Sequence, residues 1–91
     1  MPQTFLKDPN DVKDVSVDFS NLLPAGETIT GVATITPDIG IVVDSNAVAT
    51  PNVTVRLSGG TIGEKYDIDV EIDSSDGETY DRKVVIVVED L

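Results

Sequence analysis

The chain has 91 residues, a size for one domain built on one core. Seventeen acidic residues against six basic ones leave a net charge of -11, which argues against phosphate-rich partners, whether nucleic acid or anionic membrane. Cysteine and histidine are both absent, which excludes thiolate chemistry, disulfides, the commonest zinc ligand and the commonest general base.

Hydrophobic residues make up 40% of the chain, an ordinary globular share, so composition does not predict disorder. No apolar run reaches the ~18 residues of a membrane span. The opening MPQTFLKDPND lacks the apolar core of a signal peptide. Valine, isoleucine and threonine supply 31 residues, whereas alanine and leucine supply nine. β-branched side chains lose rotamers in a helix and pack well on a pleated sheet, so the whole chain reads as strand and turn.

Residues 1–12 show no alternation and read as an extended arm, broken by Pro2 and Pro9, with Phe5 and Leu6 as its large apolar side chains. The domain proper is expected over 13–91. Val15, Val17 and Phe19 alternate with Ser16, Asp18 and Ser20, the period of a half-buried strand. Asn21 to Glu27 forms a corner. Thr28 to Thr36 carries Ile29, Ala33 and Ile35 in one phase and is closed by Pro37. Ile39 to Val43 is a short apolar run ending at Asp44-Ser45-Asn46, and Val48 to Thr50 is ambiguous before Pro51.

Val53, Val55 and Leu57 then alternate with Thr54, Arg56 and Ser58. Gly59, Gly60 and Gly63 mark a corner that needs positive φ. Tyr66, Ile68, Val70 and Ile72 alternate with Asp67, Asp69, Glu71 and Asp73. A turn at Asp76-Gly77 predicts a hairpin to Tyr80, Arg82, Val84, Ile86 and Val88. Val85 and Val87 are apolar on the other phase, so this last strand is expected to sit centrally or to meet another subunit with its second face. These elements predict an all-β fold, an immunoglobulin-like β-sandwich of six or seven antiparallel strands, with a small Greek-key barrel as the alternative.

Chemistry is sparse. The acidic row Asp67, Asp69, Glu71, Asp73 suits a solvated face that blunts a sheet edge. Calcium binding through Asp73, Asp76 and Glu78 is disfavoured, because placing Gly77 at the sixth position of an EF-hand loop puts Ile72 at the first. The lysines lie beside acids in polar stretches, and no serine or threonine has a histidine partner, so no catalytic residue, metal site or cofactor site is assigned. Ser58-Gly59-Gly60-Thr61 lacks the lysine and helix of a phosphate loop. Tyr66 and Tyr80 fall in buried phases, which disfavours a sugar platform; Tyr66 could anchor a corner through its hydroxyl. Protein–protein assembly survives, with Phe5, Leu6, Val85 and Val87 as contact candidates. The second layer of a core is the other reading of the two valines.

Several motifs carry a family resemblance. They are Phe5-x-Lys7-Asp8-Pro9 and Val12-x-Asp14-x-Ser16-x-Asp18-Phe19 near the start. Further on stand Val55-x-Leu57-Ser58-Gly59-Gly60-Thr61-x-Gly63-x-x-Tyr66 and Ser75-Asp76-Gly77-x-Thr79-x-Asp81-x-Lys83. With these the chain resembles the small tailed-phage fiber-tail adaptor proteins. The resemblance implies an immunoglobulin-like, non-enzymatic virion component at the neck or tail, assembled in the host cytoplasm. Its expected partners are other virion proteins (tail fibre, neck, tail or portal-proximal components), met in several copies around a symmetric assembly. A capsid decoration protein of the same fold is an alternative, as is a displayed module binding glycans or host receptors. Reading the acids as a solvated face predicts no change in melting temperature on adding calcium; a rise would establish a site.

Overall fold

The computed structural model describes residues 3–91. Met1, Pro2 and the side chain of Ala33, expected in phase with Ile29 and Ile35, lie outside the described residues. Seven strands follow in order: β1 (Gln3–Lys7), β2 (Lys13–Asp18), β3 (Ile29–Pro37), β4 (Ile41–Ala49), β5 (Asn52–Gly59), β6 (Lys65–Ser74) and β7 (Thr79–Val88). There is no helix among the described residues. One sheet has the order β1-β7-β6-β3, the other β2-β5-β4. β3 and β4 face each other across a seam with no ladder between them, so the sheets do not close into a barrel through that side.

Alternation decides what is buried. Val84 and Ile86 of β7 lie beside Ile68 and Tyr66 of β6, and Val88 of β7 and Val70 and Ile72 of β6 extend the same inner face; all six of these aliphatic residues are fully buried. Val15 and Val17 of β2 and Val53, Val55 and Leu57 of β5 face them from the other sheet and join the same cluster. Burying each such side chain stabilises the fold by roughly 1.5–3 kcal/mol, which compensates for the scarcity of aromatics. Phe19, just past β2, is fully buried and is the largest apolar side chain of the core.

The structure corrects several expectations. The strands are not all antiparallel: residues 3–7 form β1, which pairs with β7 in parallel, Phe5 opposite Ile86 and Leu6 opposite Val87. β4 does not stop at Asp44 but runs on to Ala49. Its register slips between Val43 and Ser45, so Asp44 is absorbed as a bulge and pairing with β5 resumes. β3 also carries two register shifts. Pro37 is the last residue of β3 and not a stop before it, a position an edge strand tolerates. The acidic row of β6 blunts no edge, because β6 lies between β7 and β3; its acids cover the outer face of an interior strand.

The glycine corner matches its sequence logic. Gly59, Gly60 and Gly63 have φ of 79°, 96° and 88°. A Cβ at Gly60 would stand 2.7 Å from Val88 Cγ2, while one at Gly63 would meet nothing within 4 Å. Gly63→Ala should therefore cost about 1 kcal/mol of backbone strain, and Gly60→Ala about 2–4 kcal/mol with the added overlap. Urea unfolding midpoints measure the gap; equal midpoints would refute the close packing of Gly60 on β7.

Candidate interaction surfaces

Strand register sorts the outer face of the four-stranded sheet into rows. Leu6, Val87 and Lys65 lie side by side in one row, and Thr4, Val85 and Asp67 in the next. Further along come Lys83 beside Asp69, then Asp81 beside Glu71, then Thr79 beside Asp73. The face is thus apolar where β1 covers β7 and acidic beyond it. Leu6 is 46% exposed, and Val85 and Val87 are half-buried on the side away from the core. The structure therefore brings Leu6, Val85 and Val87 together. Phe5 is separated from them: it turns inward and packs on the core.

At the end of the molecule where β1 and β7 finish, one buried cation ties the connections together. Lys7 is 1% exposed, although its sequence context reads as a polar stretch. Its ammonium donates to the Asp8 carbonyl (2.9 Å) and the Gly59 carbonyl (2.7 Å). Two backbone carbonyls thus replace water for a charge that would be costly to bury alone. Nearby, Thr61 N–H donates to the Tyr66 hydroxyl oxygen (2.9 Å), so Tyr66 does anchor the corner. Its ring packs so close to Gly40 that a Cβ there would lie 2.9 Å from Cε1. Gly60 N–H donates to the Gly40 carbonyl (3.0 Å), and Glu89 N–H to the Lys7 carbonyl (2.9 Å).

The seam between β3 and β4 is a second apolar feature. Val32, Ile35, Pro37, Ile41, Val43 and Asn46 line a groove of about 550 Å³. Sequence reasoning missed it. The available signal was charge: from residue 29 to residue 51 only Asp38 and Asp44 are charged in a chain of otherwise dense charge.

The opposite end is acidic. Ser74 donates its hydroxyl hydrogen to Asp76, while Ser75 Oγ and Asp76 N–H both donate to Glu27 Oε1 (3.0 Å each). Interaction with Asp76 holds the Glu27 carboxyl above its usual range; the Ser74 hydroxyl holds Asp76 below it. The Tyr80 hydroxyl, donating to Glu78 Oε2 at 2.6 Å, is pushed up to about 12. Among the described residues no three acids gather closely enough to form a metal cage.

Two packed sheets thus display an apolar patch and an acidic one on their outer faces. The sequence pattern of the family described as podophage GP4 fiber-tail adaptor protein gp77 matches residues 7–87, and the chain belongs to that family. This bears out the resemblance carried by the Leu57-Ser58-Gly59-Gly60-Thr61-x-Gly63 corner and the strands around it. No curated protein matches the chain. The family is one of phage-tail structural proteins, which supports a structural role and a place in the virion.

Asp81 provides a titration test of the acidic face. Its carboxyl is pushed up to about 6, first by sharing a hydrogen bond with Asp69, then by burial and the charges of Asp69 and Glu71. A carboxyl whose folded value is raised binds its proton more tightly in the native state. Its contribution to stability is present near pH 4 and is lost as the pH rises through 6. Asp81→Asn should therefore raise stability at pH 7 and flatten the decline between about pH 4 and 6, as read from urea midpoints across pH. An unchanged profile would show that the two carboxylates do not interact.

Proposed function

We propose that the chain is a non-enzymatic virion adaptor, an immunoglobulin-like β-sandwich that joins tail fibre to the neck or tail through protein–protein contacts. Several copies act around a symmetric assembly. Residues 13–91 make the sandwich, and residues 1–12 serve as an arm, of which Gln3–Lys7 lie along the last strand. The grouping of Leu6, Val85 and Val87 on one outer face carries this reading, because apolar side chains in a row beside charged ones suit a contact that must be soluble when free. Phe5 contributes from beneath by holding the arm on the core. Family membership supports the tail role, and the net charge of -11 keeps free subunits soluble and favours basic partner patches.

The pair Leu6→Asp and Val87→Asp tests the reading. Both side chains face outward, so each change should cost only about 1 kcal/mol and leave the fold intact. The doubly substituted chain should stay soluble and folded but fail to enter particles in an infection supplied with it alone. Normal incorporation would remove this face from the account.

A further inference from the structure

Strand direction puts four segments at the Lys7 end: residues 8–12, 38–40, 60–64 and 89–91. Each presents one large apolar residue to solvent. Val12 is 64% exposed, Ile39 101%, Ile62 56% and Leu91 66%. The connections at the other end, 19–28, 50–51 and 75–78, present none. Each apolar tip also stands next to acid. Asp11 precedes Val12, Asp38 precedes Ile39, Glu64 follows Ile62 by two, and Glu89-Asp90 precede Leu91. With Asp8 these segments hold six carboxylates, and with Lys7, Lys13 and Lys65 at their borders the end keeps an excess of three negative charges.

The tips are held in place. Lys7 joins 8–12 to the end of β5, Gly60 N–H joins 60–64 to Gly40, and Gly63 N–H donates to the Val88 carbonyl (2.9 Å). Leu91 N–H donates to Asp8 Oδ2 (3.1 Å). A bond from Asn10 N–H and, after it, the one from Leu91 hold the Asp8 carboxyl below its usual range. A contact surface fixed in advance loses less conformational entropy on binding.

We infer that this end is the adaptor's docking tip for a protein surface rich in arginine or lysine, an assignment that rests on the adaptor reading and names the chemistry of its partner. A purely apolar partner would strip water from six carboxylates without replacing it. Long basic side chains meet both needs: their aliphatic stems lie on Val12, Ile39, Ile62 and Leu91, and their heads reach the adjoining acids. A second copy of this chain does not fit, since it brings net charge of the same sign. The row of Leu6 and Val87 borders the same end, because Val88 and Lys7 finish there. A ten-residue strand spans roughly 33 Å, which fits only the longest of the molecule's 41 × 23 × 18 Å axes. The end is therefore about 400 Å² in section, half of the ~800 Å² per partner of a stable pair, so firm attachment comes from several copies engaging together.

The test uses the full chain against phage particles assembled without it and against purified tail fibres. Three proteins are compared: the parent, Ile39→Ser with Ile62→Ser, and Asp11→Asn with Glu64→Gln and Asp90→Asn. All five side chains are exposed, and equal melting temperatures verify the folds. The parent should bind one of the two probes with affinity that falls steeply as salt rises. The isoleucine variant should bind roughly tenfold or more weaker with the same salt slope, and the charge variant should bind with a flatter slope. Parent-like binding by both variants overturns the docking tip while leaving the adaptor function standing. A parent that binds neither probe overturns the adaptor function, and the docking tip with it.

Discussion

The two sheets are held by one shared layer of small aliphatic side chains, and nearly everything else follows from that constraint. With two phenylalanines, two tyrosines and no tryptophan, the chain has few large groups to fill a core. It fills it with ranks of valine, isoleucine and leucine, Val84, Ile86 and Val88 on one side and Val53, Val55 and Leu57 on the other. A strand gives alternate residues to each face, so committing one set inward commits the other set outward. The outer faces are thereby fixed as surely as the core: Leu6, Val85 and Val87 over one stretch, a belt of carboxylates over the next.

Much of this architecture was legible in the residues. The hairpin of β6 and β7 announced itself by strict alternation and by Asp76-Gly77, and Gly77 indeed has φ of 88°. The glycine corner was legible because positive φ at 59, 60 and 63 has one cheap residue. Legibility failed where the controlling fact was not local. Asp44-Ser45-Asn46 carries turn chemistry, yet pairing with β5 outweighs it and a bulge takes up the misfit. The acids of β6 look like edge protection until the order β1-β7-β6-β3 places that strand inside the sheet. Lys7 looks solvated beside Asp8, and only the fold brings the Gly59 carbonyl to it from 52 residues away.

The candidate surfaces were legible in the same uneven way. Val85 and Val87 drew notice as apolar residues on the second phase of their strand, and the register then set Leu6 beside Val87. Phe5 and Leu6 were equivalent as neighbours in sequence, but parallel pairing with β7 sends one inward and the other outward. The exposed tips at Val12, Ile39 and Ile62 could not be grouped from sequence, because nothing local says that three separate turns share one end. The result is a molecule with polarity along its length, apolar tips among acids at one end and carboxylates held by serine hydroxyls and a backbone N–H at the other.

Hydrogen exchange of backbone amides, compared between the free chain and the chain bound in particles, tests this polarity most directly. Contact through the Lys7 end predicts added protection in residues 8–12, 38–40 and 60–64, with 75–78 exchanging as in the free protein. Protection confined to 75–78 and the acidic stretch around Glu27, with the three apolar turns unchanged, would contradict the account.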